Sequence, residues 1–386
     1  MSELNASNLR KEHGNEGPDL VGTTELTSPY YMVPPSGTTA QRPQNPEPGT
    51  LRFNTDIGSL EFYRGDTIGW ESVNKVSSDL NGGARAVYGG GFTSPANSNI
   101  IDYGSIATGG IFVQFGTLTR TDRLCYSGVS SRTRGCWGGG FPQATQSTID
   151  YITISSTGVA LGFGNMTAGR IGATGVSNQT RGCWAGGYSY APGPRTVRDV
   201  VDYITIASTG NSSDFGTNNS EVGLTYSGAG FASPTRGIFA SGKDKPAANA
   251  YNKDIRYITI QSKGTGAHFG ELTFSGSYTT GCSNSTRGLV MGGSTPTKRN
   301  EIEYITIATF GNTTDFGDMT TATSALTSAA SSTRGLNVGG QQSPALTNTI
   351  EYVTIASTGN ATNFGDLTVA RSTLAGCSDV HGGLGD

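Results

Sequence analysis

The sequence predicts an all-β protein whose body, residues 81–386, is a six-bladed β-propeller. A tyrosine that leads a β-branched run recurs six times, at intervals of 47 to 54 residues. Each repeat also holds short apolar runs for four strands, and four strands in about fifty residues are typical of a propeller blade. Finally, 58 of the 386 residues are glycine and only 14% are charged, which excludes a coiled coil or a helical bundle.

Three residues keep the same register in the repeats, an arginine first, then the tyrosine, then the phenylalanine of a Phe-Gly pair. The arginines are Arg85, Arg134, Arg181, Arg236, Arg287 and Arg334. The tyrosines are Tyr103, Tyr151, Tyr203, Tyr257, Tyr304 and Tyr352. The phenylalanines are Phe115, Phe163, Phe215, Phe269, Phe316 and Phe364. We expect these tyrosines and phenylalanines to form the cores of the blades.

Each repeat predicts four strands in order. Strand A is the stretch of small residues before the arginine, and strand B runs from the arginine to a glycine doublet or triplet, as in 134–138. Strand C holds the tyrosine and is apolar on both faces, as in 149–154, which suits a sheet packed between two others. A Ser-Thr-Gly-Asn turn, as in 208–211, supplies the positive φ of a tight hairpin. Strand D ends at the Phe-Gly pair.

The order of the strands predicts how the propeller closes. The first repeat begins at strand B, near Arg85, whereas the last continues past Phe364 into a spare strand A at 374–377. We expect this C-terminal strand to pair with the strand near Val87, because that pairing completes the first blade and removes open sheet edges. A solenoid of stacked repeats is the alternative architecture.

The first eighty residues differ from the repeats. Residues 1–48 hold seven of the 15 prolines and predict an extended arm without a core of its own. Residues 49–80 predict a small β-meander of three strands, which needs a partner surface because three such strands are marginal alone. Residues 1–80 carry 11 acidic and 6 basic residues, so this region is acidic.

The charge and the cysteine and histidine content limit which partners, metals and cofactors the sequence predicts. The net charge of −3 gives no electrostatic case for nucleic acid or an anionic membrane as partner, and no apolar run is long enough to span a bilayer. The three histidines lack the spacing of metal ligands, so we expect no metal and no cofactor. Scattered cysteines predict buried free thiols in a protein folded in a reducing cytoplasm; they are Cys125, Cys136, Cys183, Cys282 and Cys377.

Two interpretations are open for the six repeat arginines. They could surround the channel as an anion site, or each could form a buried ion pair with the acid before the strand C tyrosine. We favour the ion pair, because a partly buried arginine without a carboxylate is costly. Arg256 replaces that acid in the fourth repeat, which predicts a different partner for Arg236.

The residues give little support for an enzyme. The stretch 237–243 has the spacing of a phosphate-binding loop, but Asp244 stands where Ser or Thr must meet magnesium, and the stretch coincides with strand B. Glycoside hydrolysis needs two carboxylates that face each other across a pocket, whereas most acids of the predicted propeller occupy repeat positions. We therefore expect no catalytic residue, with a polysaccharide-degrading enzyme as the alternative.

The longest connections are the candidate binding loops. The B–C connections at 188–199 and 243–254 are the longest, and the D–A connection at 217–224 is irregular. Because strand direction alternates, B–C and D–A loops lie on the same face of a propeller. Solvated insertions are the alternative interpretation. The candidate contacts for a partner or receptor are Tyr188, Tyr190, Arg195, Arg198, Lys243, Lys245 and Tyr251.

Two stretches carry a resemblance to known proteins. The block 33–43, with 48–55 and 60–65, resembles a module in fibre and appendage proteins of tailed bacteriophages. The Thr-Arg-Gly, Gly-Gly and Tyr-Ile-Thr-Ile elements of the repeat are similar to kelch-like propellers in virion proteins of phages that infect marine cyanobacteria. The chain departs from other kelch repeats in having no regular tryptophan that closes each blade.

The resemblance implies a viral structural protein of the virion, assembled in the host cytoplasm, and in particular a tail fibre or tail appendage. Residues 1–80 would dock on other virion proteins, and the propeller would be displayed for attachment to a host-surface glycan or for contacts within the virion. We also expect a homo-oligomer within the particle. A head or tail decoration protein without a receptor is the alternative function.

Overall fold

The computed structural model describes residues 34–56, 59–66, 69–72, 84–120, 128–141, 146–189, 196–218, 227–243 and 251–385. The chain divides into two compact units, Met1–Val76 and Ser77–Asp386. Within the described ranges the regular structure is β, apart from two short 3-10 helices, Thr39–Gln41 and Gly382–Leu384, so the predicted all-β class is confirmed. These ranges hold no helix with the length and apolar character that crossing a bilayer requires.

The first unit contains one four-stranded sheet. Strands Leu51–Asn54, Ser59–Tyr63 and Trp70–Ser72 pair antiparallel in chain order, at the places where the sequence predicts three strands. Strand Ser36–Gly37 joins the sheet in parallel beside Phe53 and Asn54. Pairing therefore begins within the segment that the sequence assigns to an extended arm.

A buried carboxylate organises this small sheet. Glu61 is fully buried and accepts hydrogen bonds from Arg42 Nε at 3.2 Å and Nη2 at 2.6 Å. The Asn54 amide donates to the same carboxylate at 3.0 Å, and Arg52 Nη1 lies 3.3 Å from it. The hydrogen bonds from Arg42 hold the pKa of Glu61 below its ordinary value, so the carboxylate stays charged inside the sheet.

Six antiparallel sheets of four repeat strands each form the second unit, numbered 1 to 6 along the chain, with strands A to D in hydrogen-bonded order. The A strands of sheets 1 to 6 are Ala375–Ser378, Gly128–Ser130, Thr174–Ser177, Ala229–Ala232, Thr280–Ser283 and Thr327–Ala330. The B strands are Arg85–Gly89, Arg134–Gly138, Arg181–Ala185, Arg236–Lys243, Arg287–Met291 and Arg334–Val338. The C strands are Ile100–Ser105, Thr148–Thr153, Val200–Thr205, Tyr251–Thr259, Glu301–Thr306 and Thr349–Thr354. The D strands are Val113–Thr117, Leu161–Asn165, Ser213–Thr217, Ala267–Gly276, Thr314–Asp318 and Thr362–Asp366.

Sheet 1 takes its A strand from the C-terminal end of the chain. Ala375–Ser378 pairs antiparallel with Arg85–Gly89, and Cys377 faces Val87 in the register. The predicted pairing of the C-terminal strand is therefore confirmed. A two-residue strand, Gly110–Ile111, adds to the outer edge of sheet 6 in parallel.

Short hairpins extend three of the B–C connections. They are Phe92–Thr93 with Ala96–Asn97, Tyr188–Ser189 with Thr196–Val197, and Ser294–Thr295 with Thr297–Lys298. In sheet 4 the strands themselves are longer, since strand B has 8 residues, strand C has 9 and strand D has 10. The stretch 237–243, with its phosphate-loop spacing, lies in this long B strand.

The hydrophobic core lies between neighbouring sheets. Each of its six clusters combines residues of two sheets, and the clusters join sheets 1–2, 2–3, 3–4, 4–5, 5–6 and 6–1. All six repeat phenylalanines are buried, which confirms their predicted core role, and each meets the partly buried repeat tyrosine of its own sheet at 5.5 to 6.2 Å.

Four of the cysteines are buried and free, as predicted; they are Cys136, Cys183, Cys282 and Cys377. Burial raises the pKa of Cys136, Cys183 and Cys282 to about 12. Such thiols are almost entirely protonated at neutral pH, so they pack as small apolar groups and are poor nucleophiles. Cys125 lies outside the described residues.

Glycine at one position of the A strands permits a close approach between sheets. A Cβ atom on Gly230 would lie 2.4 Å from the carbonyl oxygen of Gly175, and one on Gly376 would lie 2.3 Å from that of Ser328. Real Cβ atoms do not come this close to backbone, so a larger residue there would push the A strands apart.

The six repeat arginines connect neighbouring sheets. The guanidinium of Arg134 stacks over the ring of Tyr151 in its own sheet at 4.8 Å. Its Nη1 donates to the carbonyl oxygens of Ile206 at 3.0 Å and Ala207 at 2.7 Å, both in sheet 3. The other five repeat arginines do the same toward the following sheet, and Arg334 of sheet 6 donates to Ile106 and Ala107 of sheet 1.

The predicted ion pairs between these arginines and the strand C acids are therefore wrong. The prediction assumed guanidinium groups buried deeply enough to need a carboxylate. All six arginines are only half-buried. The part of each guanidinium group that is shielded from water contacts a tyrosine ring and two carbonyl oxygens, which compensate for the lost hydration. Arg236 follows the same pattern with Ile307 and Ala308, so the exception predicted for it is also wrong.

The strand C acids accept instead from a threonine of the preceding sheet, which follows strand D or, in sheet 4, lies within it. Asp150 accepts from the Thr119 hydroxyl at 2.8 Å. The corresponding pairs are Thr167 with Asp202, Thr273 with Glu303, Thr320 with Glu351 and Thr368 with Asp102. Sheet 4 has Arg256 at this position, and its Nε lies 2.6 Å from Asp254.

Two of these acids also pair with buried arginines that the sequence analysis missed. Arg170 Nη2 lies 2.7 Å from Asp202, and Arg371 Nη2 lies 2.7 Å from Asp102. Both arginines are at most 1% exposed and donate further to backbone carbonyls. The only signal in the sequence is that each arginine stands three residues after the threonine that donates to the same acid, Thr167 or Thr368.

Candidate functional site: the loop face

The B–C connections and the D–A connections lie together in at least four sheets. Antiparallel bridges join them at Phe92 and Ser372 in sheet 1, and at Ile171 and Tyr188 in sheet 3. Sheets 5 and 6 have the corresponding bridges, Ser277 with Ser294 and Ser324 with Gln341. We call the surface formed by these connections the loop face.

The D–A connections also bond to one another. Ser227 N donates to Gly172 O at 2.8 Å, Tyr278 N to Ser227 O at 2.7 Å, Ala325 N to Tyr278 O at 3.0 Å, and Thr373 N to Ala325 O at 2.8 Å. The four non-glycine residues have φ between 53° and 57°, which costs an ordinary residue about 1 kcal/mol. These hydrogen bonds link five successive D–A connections and hold the four residues in this conformation.

A small polar cavity of about 50 Å³ is lined by residues of the A strands and of the D–A connections. Its lining is glycine, threonine and serine, including Thr279, Thr280, Thr327 and Ser328. A polar space of this size suits a few water molecules. A second cavity, of about 60 Å³, is lined by the A strands of all six sheets and by His381.

The C-terminal segment lies at the second cavity. The His381 Nε2–H donates to Ser130 O at 3.0 Å, while its Nδ1 accepts from Gly383 N at 3.2 Å. This pattern requires the neutral imidazole, and burial lowers the pKa of His381 to about 4. Arg132 Nη2 donates to the carbonyl of Leu384 at 3.3 Å. The chain's own residues thus cover this end of the A strands, which leaves the loop face as the candidate site.

Two residues that the sequence singles out meet on the loop face, together with one that it does not. The ammonium of Lys243 lies 5.0 Å from the ring centre of Tyr251 and 5.8 Å from that of Tyr278. Lys243 and Tyr251 face each other at the end of the long hairpin of sheet 4, and Tyr278 belongs to the D–A connection before sheet 5. We call these three residues the Lys243 cluster.

A β-bulge in sheet 4 stands immediately before Lys243. The register shifts between Ala240 and Gly242, and Ser241 has a φ of 61°. The buried Ser241 hydroxyl lies 2.5 Å from the Thr279 hydroxyl, next to Tyr278. A bulge changes the direction of the side chains that follow it, and this one brings Lys243 over the two rings.

The other candidate binding residues predicted from the sequence do not join the Lys243 cluster. Tyr188 pairs with Val197 in the sheet 3 hairpin, and Arg198 Nε donates to the Ser189 hydroxyl at 3.3 Å. Tyr188 and Arg198 thus belong to another hairpin than Lys243 and Tyr251. Tyr190, Arg195 and Lys245 lie outside the described residues.

A cation also lies over an aromatic ring beside sheet 5, outside the repeat positions. The guanidinium of Arg299 lies 4.3 Å from the ring centre of Phe274, but its Nη2 is 2.5 Å from Glu301. The charge of Arg299 is thus compensated, whereas no carboxylate among the described residues lies within ion-pair distance of Lys243. This difference distinguishes the Lys243 cluster from the contact of Arg299 with Phe274.

The described residues contain no group of three or more His, Cys, Asp or Glu side chains placed to hold a metal ion. The nearest approach to a catalytic cluster is in sheet 4, where Asp254 lies 2.6 Å from Arg256 Nε and 2.7 Å from His268 Nδ1. Arg256 stands in the register of the strand C acids, so this cluster replaces the threonine–acid contact of the other sheets.

Comparison with known families finds no family model that matches the chain, and comparison with curated proteins finds no relative.

Proposed function

We propose that the six sheets are the blades of a closed β-propeller, completed by the C-terminal strand. Three sets of contacts support this architecture. The arginine contacts lead from each sheet to the next and from sheet 6 to sheet 1, the threonine–acid contacts include Thr368 of sheet 6 with Asp102 of sheet 1, and a hydrophobic cluster joins sheets 6 and 1. Each sheet thus has two neighbours, as in a propeller.

We propose further that the chain is a structural protein of a phage virion, a fibre or tail appendage, with residues 1–80 docked on the particle and the propeller displayed. Residues at repeat positions are occupied in contacts between sheets, so they support a scaffold. Residues free of the repeat pattern converge on the loop face, and the Lys243 cluster is the observation that carries an attachment role. Binding residues are commonly placed on loops that a rigid scaffold positions.

The experiment uses antibody against the full chain on intact phage particles, followed by electron microscopy, together with binding of the purified full chain to host cells. We expect the antibody to label the tail or its appendages. We also expect saturable binding of the chain to host cells, which an excess of intact phage particles competes away. Particles that the antibody fails to label would overturn the virion assignment. Labelled particles with no cell binding would overturn the attachment role and favour a decoration protein.

A further inference from the structure

We propose that the Lys243 cluster binds an acidic saccharide, with Lys243 taking the anionic group and the tyrosine rings taking the flat apolar face of the sugar. This inference rests on the proposed attachment function and names the ligand class of the same site. Three observations carry it: the lack of a carboxylate partner for Lys243 among the described residues, the pair of tyrosine rings beside it, and the backbone that holds them together.

The charge of Lys243 distinguishes it from a lysine of the same hairpin. Lys253 Nζ lies 2.7 Å from Glu271 and is 48% exposed, an ordinary surface ion pair. Lys243 is half-buried, lies over two tyrosine rings and has no acidic partner among the described residues. A partly desolvated ammonium of this kind gains from a ligand that brings its own negative charge.

The two tyrosines suit a sugar ring. Tyr251 and Tyr278 are both half-buried, and each combines an apolar ring with a hydroxyl that can donate and accept. A pyranose has the complementary character, since its C–H groups form an apolar face and its hydroxyl groups surround that face. An anionic group on such a sugar would place the negative charge beside the ammonium of Lys243.

The backbone around the cluster is fixed before any ligand arrives. The bulge at Ser241 is tied to Thr279 by the 2.5 Å contact of their hydroxyl groups, and Tyr278 is held by hydrogen bonds from its amide to Ser227 and from Ala325 to its carbonyl. Both Ser241 and Tyr278 have positive φ, a conformation that surrounding structure must impose. A preformed site loses little entropy on binding.

The chemistry of the site favours an acidic saccharide over the other anionic ligands. The chain has a net charge of −3, which opposes binding to a polyanionic nucleic acid. A single lysine over two tyrosines is also too small a charge for an inorganic polyanion. One site of this size binds weakly, and display of many copies on one particle would raise the avidity.

The experiment measures binding of the purified full chain to three oligosaccharides of equal length, one carrying carboxylates, one carrying sulfates and one neutral, by isothermal titration calorimetry. Variants K243Q, Y251A and Y251F are compared with K253Q, the matched control in which the ion-paired lysine of the same hairpin loses its charge. Circular dichroism and thermal melting establish that each variant is folded.

We expect an acidic oligosaccharide to bind at least tenfold more tightly than the neutral one, and K243Q to abolish that preference. Y251A should weaken binding at least tenfold, and Y251F, which keeps the ring but loses the hydroxyl, should weaken it by a smaller factor. K253Q should change it less than twofold. The carboxylated and sulfated oligosaccharides identify which anion the site takes.

Equal binding of neutral and acidic oligosaccharides, or unchanged binding by folded K243Q, would overturn the inference. These outcomes differ from a failure of the proposed function. If the wild-type chain and K243Q attach equally to host cells, the attachment function stands and the acidic-saccharide site falls. If the site binds the acidic oligosaccharide but antibody leaves particles unlabelled, the site stands and the virion assignment falls.

Discussion

The repeat arginine stabilises two sheets at once through the different parts of its guanidinium group. The planar face of Arg134 covers Tyr151, and its Nη1 reaches two carbonyl oxygens of the next sheet. Neither contact requires a carboxylate, because the tyrosine ring and the two carbonyl oxygens that follow strand C of the next sheet already contact the guanidinium group. A side chain that is planar, charged and rich in donors is the one that satisfies both demands.

We predict that Arg134→Gln lowers the free energy of unfolding by about 1–3 kcal/mol, since it removes charge-assisted hydrogen bonds and the stack over Tyr151. Arg134→Lys should lose less, because an ammonium can still lie over the ring. The measurement is the midpoint of urea unfolding. Arg198→Gln, which removes one 3.3 Å hydrogen bond in a loop hairpin, is the control and should change stability by less than about 0.5 kcal/mol. Equal midpoints for Arg134→Gln and wild type would contradict the prediction.

Two titratable residues of the C-terminal segment should change the free energy of unfolding with pH in opposite directions. Burial lowers the pKa of His381 to about 4, so the imidazole of the unfolded chain is protonated at a higher pH than that of the folded chain. The contribution of His381 to the free energy of unfolding is therefore lost as pH falls from about 6.5 toward 4. Burial raises the pKa of Asp379 to about 7, although its Oδ1 accepts from Arg85 N at 2.8 Å. The protonated Asp379 therefore contributes to the free energy of unfolding below about pH 4, and this contribution is lost as pH rises through 7.

Asp379→Asn tests this assignment, because an amide keeps the acceptor for Arg85 N and has no charge to bury. We expect the variant to gain stability relative to wild type as pH rises from 4.5 to 8, measured as the difference in urea midpoint at each pH. Asp366→Asn, at an end of strand D in sheet 6, is the control for loss of one carboxylate. A difference that is constant across this range would show that Asp379 ionises freely in the folded chain.

The sequence predicted residue roles wherever a role depended on the repeat alone. The phenylalanines, the buried cysteines and the pairing of the C-terminal strand with the strand near Val87 follow from periodicity and apolar character. The partners of the arginines do not, because they depend on which atoms of the next sheet come within 3 Å. Tyr278 was missed for the same reason, since its approach to Lys243 depends on the bulge at Ser241, which leaves no pattern in the sequence.

At the scale of strands, the A strands are limited by space. Their small residues put backbone against backbone, as the 2.4 Å approach of a Cβ on Gly230 to Gly175 O indicates. Hydroxyl groups then connect the strand ends, as where Ser378 Oγ donates to Ala330 O at 2.6 Å and Ser130 Oγ donates to Ser378 O at 2.7 Å. The composition of strand A, poor in large side chains, follows from this crowding.

We predict that Gly230→Ala destabilises the protein by about 1–3 kcal/mol, because the new methyl group meets backbone atoms that cannot rotate away. Gly162→Ala is the matched control, since it also lies in a strand but has nothing within 4 Å of the new Cβ. That control should leave stability unchanged or raise it by up to about 1 kcal/mol. Thermal unfolding followed by calorimetry measures both, and equal melting temperatures would contradict the close approach.

At the scale of the whole unit, stability depends on six similar interfaces between sheets, of which the one between sheets 1 and 2 includes the C-terminal strand. Ala375 and Cys377 belong to the cluster that joins these sheets, together with the fully buried Trp137. The Trp137 indole N–H donates to the carbonyl of Ala375 at 3.0 Å. Removing the strand would therefore open an edge at Arg85–Gly89 and leave a buried indole donor without its acceptor.

We predict that a chain ending at residue 374 loses cooperative thermal unfolding and associates, since both the edge of sheet 1 and the cluster around Trp137 become exposed. A synthetic peptide of residues 375–385 added in excess should restore the unfolding transition and the fluorescence of the buried tryptophans, whereas a peptide with the same residues in scrambled order should not. Size-exclusion chromatography with light scattering measures the association. A truncated chain that stays monomeric and unfolds at the wild-type temperature would contradict the prediction and would show that the proposed closed propeller does not need its C-terminal strand.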